Sequence, residues 1–207
     1  MNEYQKEQLD ALKQVRHQLK AMTRDEKQRL KESLADYLDF RRRVSAFLDT
    51  FFSSICTEKC YAGRLSACCS KDGILAFFGD VVVNALTSSP ESLDTLEKAI
   101  IRPERDIKCI FLSDKGCLWQ MKPIVCEMFL CDEAEQNVFG KNTEAEQKWE
   151  AYKEERKNFT WPDKVVLFEE LERVFMEKGI TSPIMYIHYS PGLLSIKKNR
   201  DKPPTHR

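Results

Sequence analysis

The sequence predicts a mainly α protein, or an α+β protein with a small β-hairpin, built round a cluster of cysteines. Apolar residues recur every three or four positions over long stretches, which is typical of amphipathic helices. Two short β-prone runs flank a Ser-Asp-Lys-Gly linker at 113–116, which is typical of a hairpin. We expect an N-terminal helical arm (1–55), a cysteine-cluster region (56–135) and a C-terminal helical segment (136–207), packed as one compact unit.

The N-terminal arm is predicted to contain two helices. The first covers 3–22, where one apolar stripe is formed by Leu9, Leu12, Val15, Leu19 and Met22. Thr23 and Glu26 then match a capping box, which indicates the start of a second helix. We expect this second helix to continue to Ile55, with the basic run 41–43 on its solvated face.

Further helices are predicted on both sides of the hairpin. The apolar stretch 74–86 fits a short strand followed by a helix, although periodicity does not distinguish the two. Pro90 fits the first position of a helix that ends before Pro103. In the C-terminal segment, helices are predicted over 143–157 and 163–178.

The predicted hairpin leads into a cysteine-bearing helix. Its strands are the runs 109–112 and 117–120, on either side of the turn-rich linker. Pro123 is then placed to open a helix that carries both Cys126 and Cys131.

Charge and hydropathy restrict the partners and the compartment. The chain has 33 basic and 33 acidic residues, whereas a dedicated nucleic-acid binder is basic. The N-terminus lacks the apolar region of a secretory signal, and the longest apolar stretch, 73–86, is too short to span a membrane. We therefore expect a cytoplasmic protein without nucleic-acid or membrane partners, whose N-terminal helical arm is a candidate surface for another protein.

All eight cysteines lie between residues 56 and 131: Cys56, Cys60, Cys68, Cys69, Cys109, Cys117, Cys126 and Cys131. In a reducing compartment, such clusters more often bind metal or act in catalysis than form disulfides. Four thiolates suit tetrahedral zinc or an iron–sulfur cluster, and a single cysteine is otherwise a small buried hydrophobe. All eight are candidate metal ligands, in one site of four or in two.

The spacing of the cysteines defines two arms, which we call the first arm (56–69) and the second arm (109–131). In the first arm, the Cys56-x-x-x-Cys60 pair is able to present two sulfurs to one ion, whereas adjacent residues in an extended chain point to opposite faces. The chain contains no C-x-x-C knuckle, which excludes a standard zinc ribbon.

The order of the cysteines resembles that of the YkgJ-type cysteine-cluster family. The second arm reads C-I-F-L, G-C-L-W, K-P and C-E-M-F-x-C, and the first arm supplies a C-x-x-x-C pair and a Cys-Cys pair. This chain departs from the family pattern by a longer first arm, by Lys122 in place of arginine and by Glu127 in place of the arginine after the cysteine. The resemblance covers about a third of the chain. It implies chelation of zinc or iron. The cofactor that we expect is therefore zinc or iron, with a 4Fe–4S cluster as one form that clustered cysteines are able to hold.

The sequence leaves three functions open. The chain is a metal-binding protein, an iron–sulfur enzyme of unknown reaction, or a thiol redox protein that uses the adjacent Cys68 and Cys69. Among the histidines, His17 and His206 are predicted to be exposed and His188 to be buried without a ligand role. The carboxyl groups of Asp72 and Asp80 are further candidates for groups near the site.

Overall fold

The structure is a computed structural model that describes residues 3–66, 68–69, 76–102, 109–160 and 166–185. These residues are mainly helical with a two-stranded antiparallel sheet, which confirms the predicted fold class. No helix among them is both long and apolar enough to cross a lipid bilayer. In chain order the elements are α1 (Glu3–Ala21), α2 (Arg24–Glu32), α3 (Ala35–Phe52), a π-helix (Ser53–Tyr61), α4 (Phe78–Thr87), α5 (Pro90–Ile101), β1 (Leu112–Ser113), β2 (Gly116–Cys117), α6 (Ile124–Glu127), α7 (Asp132–Phe139), α8 (Thr143–Thr160) and α9 (Leu167–Met176).

The first two helices begin as predicted. The apolar stripe of α1 faces the core, where Leu12 and Val15 are buried. At the start of α2, the Thr23 hydroxyl accepts a hydrogen bond from the Glu26 N–H at 3.2 Å, and the Glu26 carboxylate accepts one from the Thr23 N–H at 2.7 Å. This reciprocal pair is the predicted capping box.

The prediction of one unbroken helix from Thr23 to Ile55 is wrong, because the chain turns between α2 and α3. The Ser33 hydroxyl donates to the Leu30 carbonyl at 2.8 Å, and the Leu34 N–H donates to the Lys31 carbonyl at 3.1 Å. These short-range bonds replace the i→i−4 pattern and end α2, in keeping with the tendency of serine to compete for backbone partners.

The C-terminal segment contains the two predicted helices, but their first and last residues differ from the prediction. Helices α8 and α9 match the predicted helices, although α8 runs on to Thr160 and α9 begins only at Leu167. Helix α5 also agrees, with Ser89 as the N-cap and Pro90 in its first turn. The described part of the stretch 74–86 is helical from Phe78 onward, and α7 was not predicted.

The core is a single cluster that connects the N-terminal helices with α4, α8 and α9. Helix α4 packs against α1 and α9, and most of its residues are buried. On the other side, Phe47 of α3 stacks on Trp149 of α8, with 5.5 Å between the ring centroids. Apolar contacts of this kind stabilise the helical body without any cysteine as a central member.

Gly79 allows α4 to approach α9 closely, and we expect Gly79→Ala to destabilise the protein. A Cβ at this position would lie 2.5 Å from Cγ of Phe168, which is fully buried. Alanine favours a helix over glycine, but overpacking costs about 1–3 kcal/mol, so the net loss should be about 1 kcal/mol. Chemical denaturation measures this loss. In a Phe168→Leu background the alanine should cost less, and an equal cost in both backgrounds would contradict the proposed clash.

Candidate metal centre

The first arm begins on the π-helix and ends in a turn. Cys56 and Cys60 are half-buried on this helix, which hydrogen-bonds i→i+5, so residues four apart share a face. The chain then folds back, and the Cys60 carbonyl accepts hydrogen bonds from the N–H groups of Leu65 and Ser66 at 2.9 and 3.1 Å. This return places the adjacent Cys68 and Cys69 after a turn rather than on a continuing helix.

The second arm contains the predicted hairpin in a shorter form. Leu112 pairs with Cys117 and Ser113 pairs with Gly116, so each strand has two residues instead of four. Gly116 has φ of +102°, a conformation that favours glycine and allows the tight turn. Before the turn, the sulfur of Cys109 accepts a hydrogen bond from the Phe111 N–H at 3.4 Å.

The prediction that Cys126 and Cys131 share one helix is wrong. Cys126 lies in α6, which is only four residues long, and Cys131 is the N-cap residue of α7 in an extended conformation. The first turn of α7 contains Asp132, Glu133 and Glu135, and acidic side chains stabilise a helix N-terminus through its dipole. A new helix start is therefore favoured directly after Cys131.

The two arms meet through hydrogen bonds that involve the backbone of both. The Cys109 N–H donates to the Cys69 carbonyl at 3.0 Å. The Tyr61 hydroxyl of the π-helix donates to the Ser113 carbonyl of the hairpin at 2.9 Å. These contacts bring the vicinal cysteines of the first arm against the hairpin of the second, although the two arms are about 40 residues apart in sequence.

One group of thiols surrounds Cys56. Burial and the nearby thiols of Cys68, Cys131 and Cys60 raise the pKa of Cys56 to about 11, because each disfavours a negative charge on its sulfur. The group thus includes sulfurs from the π-helix, from the end of the first arm and from the end of the second arm.

A second group surrounds Cys69. Its pKa is raised above its ordinary value by a hydrogen bond with the Cys68 thiol, by burial and by the nearby thiols of Cys109 and Cys117. Burial raises the pKa of Cys109 to about 11, although backbone N–H groups that point at its sulfur oppose the shift. Cys68 therefore lies within electrostatic range of both groups.

All eight cysteines are in the described residues and are thiols rather than halves of disulfides. Seven of them are half-buried, and Cys68 is exposed. In the described ranges, no three Cys, His, Asp or Glu side chains are arranged to hold a metal ion. The donor chemistry is nevertheless suited to a thiophilic metal, and binding would have to draw the thiols of a group together.

Arg41 lies beneath the second arm, and its assignment to a solvated helix face is wrong. Its side chain is 2% exposed, whereas that of Arg42 is 75% exposed. Its guanidinium donates to the Lys122 carbonyl and to the Glu127 carboxylate, each at 2.6 Å. A sequence signal existed, because Arg41 is four residues after the buried Tyr37 on the same helical stripe.

Two side chains of α4 hold the same part of the second arm. The buried Asp80 accepts a hydrogen bond from the Ile124 N–H at 3.0 Å, and Asn84 accepts one from the Met121 N–H at 3.0 Å. Burial raises the pKa of Asp80 to about 6, against the opposing effect of two backbone N–H donors. Asp80 thus bonds the backbone of the second arm two residues before Cys126, and the matching contact of Asn84 was not predicted.

The remaining candidates are three histidines and Asp72. His17 is exposed on α1, as predicted. His188, His206 and Asp72 lie outside the described residues.

Comparison with known proteins returned no match: no family model, no curated protein and no solved structure is similar to this chain. The resemblance to the YkgJ-type family therefore stays a prediction.

Proposed function

We propose that this protein chelates zinc or iron through its clustered cysteines, either as ions or as an iron–sulfur cluster. The observation that carries the proposal is the junction of the two arms, where the Cys109 N–H bonds the Cys69 carbonyl at 3.0 Å. This junction brings cysteines from separate segments into one region, which supports a soft-metal site that draws its ligands from both arms.

The surroundings of the sulfurs support thiolate ligands. The Phe111 N–H points at the sulfur of Cys109, and the Trp119 N–H points at that of Cys117. Backbone N–H groups that donate to sulfur stabilise a thiolate and tune the metal that it binds. A bound cation would compensate the negative charge of half-buried thiolates. Its binding would release protons from the thiols.

The adjacent thiols give one observation in favour of a redox function. Cys68 is exposed, and its thiol is hydrogen-bonded to that of Cys69. Reactive redox cysteines, however, usually have a lowered pKa, whereas the pKa of Cys69 is raised. A metal deprotonates the thiols that it binds, whereas thiol exchange needs a thiolate in the metal-free protein, so we favour metal binding as the function.

The test is the metal content of protein purified without oxygen. We expect about one or two equivalents of zinc or iron, with a brown colour if an iron–sulfur cluster is bound. Replacing both Cys109 and Cys117 by serine should remove at least about half of the metal, because both belong to the group around Cys69. Elemental analysis and the visible absorption spectrum measure these outcomes.

Matched controls separate ligand loss from general damage. Thr57→Ser and Lys115→Ser change exposed residues in the same two arms, and both should keep the wild-type metal content. A folded, reduced wild-type sample with less than about a tenth of an equivalent of metal would exclude the proposed function. If the number of reactive thiols in metal-free protein falls on oxidation and returns on reduction, the redox function would be favoured instead.

A further inference from the structure

We propose that Arg41 is a positioning residue for metal binding, which holds the segment 121–127 and its Cys126 in place within the second arm. The inference rests on the proposed function. It assigns a role to a buried guanidinium from α3, an element outside both arms.

The contacts of Arg41 reach both ends of this segment. One guanidinium nitrogen donates to the Lys122 carbonyl and to the Glu127 carboxylate, each at 2.6 Å, and the other donates to the Tyr37 hydroxyl at 2.8 Å. Cys126 lies between the two contacted residues, so one rigid side chain fixes the backbone before it and the side chain after it.

The segment lies next to thiols of both groups. Lys122 is within electrostatic range of Cys56 and Cys117, and Glu127 is within range of Cys117. A shift of the segment would therefore change the surroundings of sulfurs in both arms. Outer groups that orient the ligands of a metal commonly affect its affinity.

A contribution to stability alone does not account well for this residue. A buried ion pair usually stabilises a fold no better than apolar residues of the same volume. In addition, the Nε–H of Arg41 is buried and finds no hydrogen-bond partner within the described part of the chain, which carries a desolvation cost. The geometry instead matches a group that fixes the position of a neighbouring segment.

The experiment compares Arg41→Met with Arg42→Met, a control at the exposed neighbouring position. Zinc is titrated into reduced, metal-free full-length protein in competition with a chromophoric chelator. Arg41→Met should weaken zinc binding by about tenfold to a hundredfold, and Arg42→Met should leave it unchanged. Equal affinity of Arg41→Met and wild type would overturn the inference.

A double variant, Arg41→Met with Glu127→Met, separates the positioning role of Arg41 from the effect of an unpaired Glu127 carboxylate. Removing both charges avoids leaving Glu127 without its ion partner, so this variant should keep most of the wild-type stability, less the hydrogen bonds to Tyr37 and Lys122. Its zinc affinity should still be reduced, because the contact with the Lys122 carbonyl is absent. Wild-type affinity in the stably folded double variant would show that the single variant was impaired by the unpaired Glu127 carboxylate, and it would overturn the inference.

A measurement without metal keeps this result distinct from the proposed function. In metal-free protein, the Met121 and Ile124 amides should exchange with solvent at least about tenfold faster in Arg41→Met than in Arg42→Met. If the wild type binds neither zinc nor iron, the proposed function fails, and faster exchange would still show that Arg41 positions this segment. Unchanged exchange would overturn the positioning role itself.

Discussion

Removal of bound metal is expected to lower the free energy of unfolding by about 4 kcal/mol or more when free metal had been present at 1,000 times its dissociation constant. The physical reason is linkage, because an ion that binds the folded arms but not the unfolded chain stabilises the folded state. Denaturant unfolding before and after treatment with a chelator, under reducing conditions, measures the difference.

The loss of order should be confined mainly to the two arms. The half-buried thiols are at the edge of the core, whereas α1, α4 and α9 pack through fully buried apolar side chains such as Val15, Val82 and Phe175. Hydrogen exchange should therefore accelerate in the π-helix and the hairpin of the metal-free protein and change little in α4.

The Cys109→Ser and Cys117→Ser double variant provides the control for this experiment. Because it lacks two expected ligands, the chelator should change its stability far less than that of the wild type. A wild-type protein that loses its metal with no change in unfolding or exchange would show that the metal does not contribute to the fold.

Asp80→Asn is expected to change the pH dependence of stability by up to about 3 kcal/mol between pH 4 and pH 7. Burial raises the pKa of Asp80 from its ordinary 3.8 to about 6 in the folded protein. Between these values the folded state binds a proton that the unfolded state does not. The contribution of this group to stability is thus complete below pH 3.8 and is lost as the pH rises through about 6.

The measurement is the difference in free energy of unfolding between the wild type and Asp80→Asn across this range. An asparagine has no such proton, so the wild type should lose stability relative to the variant as the pH rises. Asp36→Asn, at an exposed carboxyl group of α3, controls for the loss of one surface charge. A difference that does not change with pH would contradict the raised pKa of Asp80.

A second effect of Asp80→Asn concerns the second arm. The Asp80 carboxylate accepts from both the Phe77 and the Ile124 N–H groups, at 2.9 and 3.0 Å. An amide side chain has only one acceptor oxygen, so one buried N–H loses its partner. The variant should therefore be less stable than the wild type even near pH 4, because both oxygens of the neutral carboxyl group still accept hydrogen bonds whereas the amide nitrogen does not.

The helices were predictable where local signals agreed with burial. The stripe of α1 and the Thr23–Glu26 capping box depend on residues three or four apart, which the sequence shows directly. The turn at Ser33 was missed because the apolar spacing continues across it, and only a side-chain hydrogen bond to Leu30 ends α2. The helix predicted from Pro123 is longer than α6, because the apolar run continues to Cys131 and the acidic residues after it mark the start of α7.

The site was predictable as a set of cysteines but not as an arrangement. Local spacing suggests the Cys56 and Cys60 pair, whereas the contact between Cys69 and Cys109 depends on how distant segments pack. For Arg41 the charge pattern misled, since a run of three arginines is usually solvated and the opposing signal was only its position four residues after Tyr37. A polar side chain that bonds a segment far away in sequence is difficult to recognise from the local sequence pattern.

Helix α4 contacts both the helical body and the second arm. Its apolar sides, which include Val82 and Val83, are buried in the body, and its polar edge bonds the backbone at Met121 and Ile124. A substitution that loosens the body at α4 should therefore also disturb the cysteines, although it touches none of them. We therefore expect the stability of the helical body and the geometry of the second arm to change together.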